Sequence, residues 1–138
     1  MAGLAEDWLA RYPSIQMVLD VHRDSLETDD GTQLALRADV DGEACAKLLL
    51  VMGSNGSGLD HPDWRQNLAN AARLQALCEQ RAPGLMRDLL LRASRYNQHL
   101  TPRSMLLEVG TAGNSLEEAL RSAELFSQAL ADCLLGKA

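Results

Sequence analysis

Aromatic side chains make up only 4% of the 138 residues, too few to build a platform on which the bases of single-stranded nucleic acid could stack. Basic residues are outnumbered as well: 13 Lys and Arg stand against 19 Asp and Glu, a net charge of −6, which excludes a general binder of phosphate backbones. Nucleic acid is therefore not an expected partner. Cysteine is sparse. Cys45, Cys78 and Cys133 are scattered, odd in number and free of any CxxC spacing, which excludes a zinc knuckle or a disulfide scaffold. They read instead as small buried apolar residues. No apolar run approaches the ~18–20 residues needed to cross a bilayer, and the N-terminus lacks the basic and apolar regions of a signal peptide. HExxH, GxSxG, P-loop and GxGxxG motifs are all missing, so helix-borne metallopeptidase, serine-hydrolase and nucleotide-binding chemistries lose their usual support.

What is present is the composition of an ordinary globular protein, 46% hydrophobic and 23% charged. The length suits a single domain over residues 1–138 that buries roughly two-thirds of its unfolded surface. Leu4–Arg11 reads as a short amphipathic helix with Leu4, Trp8 and Leu9 inward, stopped before Pro13. The apolar residues of Ile15–Asp24 suggest a buried strand, followed by an acidic loop, SLETDDG. Asp41-Gly42 separates two β-like runs, Gln33–Val40 and Glu43–Met52, and predicts a type I′ hairpin turn between them. The second run ends in the continuous apolar stretch Leu48–Met52, as expected of a strand in a sheet interior.

A loop rich in Gly, Ser and Asn leads to a helix over about Asp63–Arg81, with Trp64, Leu68, Ala71, Leu74 and Cys78 inward and Pro83-Gly84 as its stop. Leu85–Ala93 and Ser104–Gly110 read as strands, with a polar loop, SRYNQHLT, between them. Ser115 and Glu118 have the spacing of a capping box, in which each side chain satisfies the other residue's free N–H. The helix that follows is expected to bury Leu116, Ala119, Leu120, Ala123, Phe126, Leu130 and Leu134. Alternating strands and helices give an α/β fold: a mostly parallel sheet with one hairpin, flanked by helices.

Two residues carry the chemical expectation. His22 falls near the C-terminal end of its strand, where open α/β sheets usually place their chemistry. Arg23 and Asp24 follow it, so this strand end carries polar groups that burial would penalise unless they were paired or faced a cleft. Glu108 is the one carboxylate in SMLLEVG, read as carried to the end of its strand. Beside an apolar wall its proton affinity would rise toward the range useful to a general base. A structural histidine and a structural ion pair are the bland alternatives. His61, before Pro62, reads as a turn or cap residue, and His99 as an exposed loop residue. Arg87, Arg92, Arg95 and Arg103 cluster before Glu108; a solvated face is the default reading, and reception of an anionic carboxylate substrate is the other.

In order along the chain, PSIQMVLDVHRD, LLLVMGSN, HPDWRQNL, PGLMRDLLLRASRYNQHLTPRSMLLEVG and GNSLEEALRSAELF resemble the stage II sporulation protein P family of peptidoglycan amidases over nearly the whole length. The resemblance implies a fold similar to that of zinc-dependent N-acetylmuramoyl-L-alanine amidases, which hydrolyse the amide between the glycan's lactyl group and the stem peptide. It implies zinc as cofactor, with His22 as a metal ligand and Glu108 as the catalytic glutamate. Arg23, Asn55 and Asn97 would line the substrate cleft, and peptidoglycan would be the partner. It also implies an extracytoplasmic life, membrane-anchored at the sporulation septum, although this chain shows neither signal nor anchor.

In the family, an earlier strand with a His-Thr-His-like motif and a following glutamate supplies the other zinc ligands, and this chain has no such motif. The expectation is therefore a truncated amidase-like domain, its first strand missing and its catalysis impaired. The alternative is a non-catalytic module that binds muropeptides or assembles with itself. An unpaired sheet edge predicts a homo-oligomer in either case.

Overall fold

The computed structural model describes residues 2–137. Its elements run α1 (Ala2–Arg11), β1 (Leu19–Asp24), β2 (Arg37–Val40), β3 (Glu43–Ala46), β4 (Leu48–Met52), α2 (Trp64–Arg81), β5 (Leu90–Leu91), a 3-10 turn (Gln98–Leu100), β6 (Met105–Thr111) and α3 (Leu116–Leu134). Four strands form one mixed sheet in the order β1-β6-β4-β5. The outer pairings, β1 with β6 and β4 with β5, are parallel, and β4 meets β6 antiparallel. The chain is thus an α/β protein.

Pleating sends alternate residues of each strand to opposite faces. On one face Leu48, Leu50, Met52, Met105 and Leu107 pack against Ala71, Leu74 and Cys78 of α2 and Phe126 and Ala129 of α3, forming the main core. Each fully buried aliphatic or aromatic side chain there contributes about 1.5–3 kcal/mol. The other face carries a second, smaller cluster of Leu49, Val51 and Leu106, with Leu90 against it. Both long helices therefore serve one side of the sheet, and the other side is open enough to hold a site.

The Asp41-Gly42 turn is as expected, with φ of 55° and 82° at its two residues. The apolar run behind it, however, does not stay in the hairpin. β3 pairs with β2 in a two-stranded sheet of its own, and after Lys47 the chain enters the main sheet as β4. Gly110 makes this crossing possible: its φ is +70°, and a Cβ there would lie 2.8 Å from the Cβ of Ala46.

Four sequence expectations are corrected. β1 begins only at Leu19 and is an edge strand: it pairs with β6 at the end of the sheet order, and although Leu19 packs on the main core, Val21 is 60% exposed. Leu4 and Trp8 of α1 are exposed rather than inward, the Trp8 ring stacking on Tyr12 instead of a core. The strand expected over 85–93 is reduced to Leu90–Leu91 and an isolated bridge from Met86 to Leu48.

On α3 the capping box forms, yet Leu116, Leu120 and Leu134 face solvent while Glu118 and Ser122 are buried. The helix is turned by its polar bonds. Glu118 receives Arg37 and the Asn114 amide, and Ser122 Oγ donates to the Ala46 carbonyl at 2.5 Å. The Arg37 guanidinium, with the Asn114 amide behind it, lowers the Glu118 carboxyl to about 2. The cysteines match expectation: Cys45 and Cys78 are buried, Cys133 is partly so, and all three are free.

Candidate active site

Strand register brings His22 and Glu108 together. They are direct partners in the β1–β6 ladder, and Leu49 is Glu108's partner on the other side. Partners across a ladder share a face, so His22, Glu108 and Leu49 stand in a row on the open face. Asp20, two residues before His22, is on the same face and meets it, with Nε2 to Oδ1 at 2.8 Å. Glu108 is not at the end of its strand, as expected, but in the middle of it.

Beyond His22 the β1–β6 register shifts, and Asp24 comes opposite Thr111. Such a bulge re-aims side chains, and here the Asp24 carboxylate takes an ion pair from Arg87 Nη1 at 2.7 Å. Asp24, Arg87, Arg92, Tyr96 and Glu108 border a cavity of about 260 Å³ whose floor is the Leu49, Val51, Leu90 and Leu106 cluster. Of the four clustered arginines, Arg87 and Arg92 line this cavity. Arg95 instead donates to the Asp60 carbonyl, and Arg103 to the Gln16 side chain.

The electrostatics single out Glu108. Its Oε2 is buried and has no hydrogen-bond partner among the described residues. Burial pushes the carboxyl's pKa up, the negative charge of Asp24 adds to the rise, and His22 and Arg87 partly offset it. A carboxyl group so placed can take a proton and return it. His22 is held differently: with Nε2 turned to Asp20, Nδ1 is the nitrogen left for another partner. Carboxylate orientation of this kind is typical of metal-binding histidines. Among the described residues, however, no three His, Cys, Asp or Glu groups gather closely enough to hold a metal ion. A catalytic zinc takes three protein ligands, so these residues do not by themselves complete such a set.

The remaining expected site residues lie apart. Arg23 and Asn55 are exposed and border none of the described cavities, whereas Asn97 lines a neighbouring cavity together with Asp20. The loop after β4 is fastened rather than free. The Gly53 N–H donates to Gln98 Oε1 at 2.8 Å, and Ser54 Oγ to the Arg92 carbonyl at 2.9 Å. His61 is not a surface turn residue: it is fully buried, with neither ring nitrogen partnered among the described residues. His99 is partly buried near it rather than exposed. Asp20 was legible in principle, since period-2 spacing places it beside His22. Tyr96 gave no sequence signal, because its role at the cavity follows from a backbone φ of +54°.

Fold and site define an α/β protein with a carboxylate and an imidazole paired on the uncovered face of its sheet. Comparison with known proteins is specific. The family model for stage II sporulation protein P matches residues 2–131. The stage II sporulation protein P of Bacillus subtilis (strain 168) is 33% identical over 125 residues, 87% of this chain and 29% of that protein. No solved structure matches. The chain belongs to the stage II sporulation protein P family, and it spans 29% of the length of that curated relative.

Proposed function

We propose that this chain is part of a peptidoglycan hydrolase of sporulation, an N-acetylmuramoyl-L-alanine amidase, working outside the cytoplasm at a membrane-anchored septal site. The observation that carries the reading is the buried, unpartnered Glu108 oxygen beside His22 on an open cavity. Glu108 takes a proton from water as the water oxygen attacks the amide carbonyl. It returns a proton to the stem peptide's nitrogen as the C–N bond breaks, leaving a lactyl carboxylate and a free amine. The raised proton affinity of Glu108 suits both halves of this transfer. Asn97, on the neighbouring cavity, is the substrate contact of the reading, whereas Arg23 and Asn55 stand outside both cavities.

Zinc belongs to the same proposal. His22 would supply one ligand, although no three potential ligands gather among the described residues. A bound zinc would polarise the amide carbonyl and lower the pKa of its water.

The test incubates purified sacculi with the chain, with and without added zinc, and measures new N-terminal alanine amines. Release by the chain, reduced at least ~100-fold in Glu108→Gln with sacculus co-sedimentation unchanged, is the expected result. Equal release by the variant removes the amidase reading of Glu108. A second reading, a binding or self-assembling module without catalysis, is favoured by the incomplete metal set among the described residues. Co-sedimentation with no release of amines identifies it.

A further inference from the structure

Beside the Glu108 cavity lies a second one of about 230 Å³, between α1 and the sheet. It is smaller than the ~300–1,000 Å³ of pockets that enclose a whole small ligand, and so has the size for one side chain. Leu4 and Trp8 border it without filling it, being 61% and 48% exposed. Met105 and Leu106 form apolar wall on the sheet side.

Polar groups on its lining are few, and most are engaged. The Gln98 amide is bonded to Gly53 N–H and to the Val51 carbonyl, and Ser104 Oγ to Thr101 Oγ1. Asp20 is the one charged side chain among the described residues that line the cavity, with the Asn97 amide as its neutral companion. The two cavities are continuous in their walls, since Tyr96 and Leu106 border both. Tyr96 is held at a φ of +54°, a conformation rare for a bulky side chain and concentrated at ligand-contacting positions.

We propose that this cavity is a subsite for an aliphatic side chain ending in an ammonium group, carried by a peptide whose backbone crosses the Glu108 face. The methylenes replace water against Leu4, Trp8 and Leu106, and the ammonium reaches the Asp20 carboxylate. The ring of Tyr96 separates the side chain from the reacting amide. Because Asp20 also holds His22, occupancy of the subsite and orientation of the imidazole are coupled through one carboxylate. The subsite rests on the peptidoglycan reading, for it assigns one side chain of the stem peptide.

The chain has two tryptophans, so Trp64→Phe leaves Trp8 as a fluorescent reporter inside the cavity wall. The probes are the tripeptide L-alanyl-γ-D-glutamyl-L-lysine and its analogue with norleucine in place of lysine. The lysine peptide is expected to shift Trp8 emission and to bind at least ~10-fold more tightly, the discrimination that one charged contact worth ~1.4 kcal/mol supplies. Should the Trp64→Phe chain fail to fold, the Trp8 indole N–H resonance of the labelled wild-type chain reads the same comparison.

Equal affinity for the two peptides overturns the ammonium assignment, and saturable binding that leaves Trp8 unchanged overturns the cavity as the subsite. If sacculi co-sediment but neither peptide binds, the subsite falls and the peptidoglycan reading stands. If sacculi and both peptides fail to bind, the two fall together.

Discussion

Burial without partners marks His61 as much as Glu108, with a different consequence. A fully buried imidazole with both nitrogens unpartnered is tolerable only while neutral, since charging it there lacks compensation. Burial lowers its pKa first, and His99 and Arg95 lower it further against weaker opposition from Asp63 and Asp60. A histidine whose folded pKa is depressed contributes stability above its unfolded value, and loses it as the pH falls toward and through the folded one. The chain should therefore lose stability below about pH 6.5, and His61→Leu should flatten that loss in urea titrations at pH 7 and pH 5. An identical pH slope in the variant would count against this role. The burial was not legible because Pro62 signals a turn, whereas Arg95 and His99, which neighbour the ring, come from a loop distant in sequence. His22 and Glu108 were legible because each stands out as polar in an apolar run; their pairing was not, since register is a tertiary fact.

Elements were most legible where local chemistry alone decides them. The Asp41-Gly42 turn and the Ser115–Glu118 cap both need only neighbours in sequence. The inward face of α3 is not set by its leucines, which the apolar pattern follows, but by Glu118 and Ser122, which tie the helix to residues 37 and 46. Loop 53–63 shows the same limit. Its glycines read simply as those of a loop, but Gly53 is a packing residue: a Cβ would fall 2.4 Å from the Ser94 carbonyl oxygen and 2.8 Å from that of Arg95. Backbone cannot yield as a flexible side chain does. Gly53→Ala should cost about 1–3 kcal/mol in thermal unfolding, whereas Gly3→Ala, with nothing within 4 Å, should be neutral or slightly stabilising. Equal melting temperatures for the two variants would refute the packing role.

At the scale of the whole molecule, β1 closes one side of the sheet, with β6 as its single partner among the described residues. Among the described residues its outer row of backbone donors and acceptors is therefore available to another strand, and the apolar Val21, 60% exposed, gives such a strand a contact even with the charged Arg23 nearby. Sedimentation equilibrium should show the apparent mass rising with concentration, and Val21→Lys should return the chain to monomer. A wild-type chain that stays monomeric throughout would sink the idea. The α/β class was readable from the alternation of runs, but the mixed strand directions were not, because Lys47 gave no sign that the chain changes sheets there.

One consequence follows from α2 and α3 lying on the same side of that sheet. Folding leans on Leu48, Leu50, Met52, Leu107 and Phe126, while the Glu108 cavity, the proposed site, faces the other way. A lineage can thus revise the open side residue by residue, with little risk to the scaffold beneath.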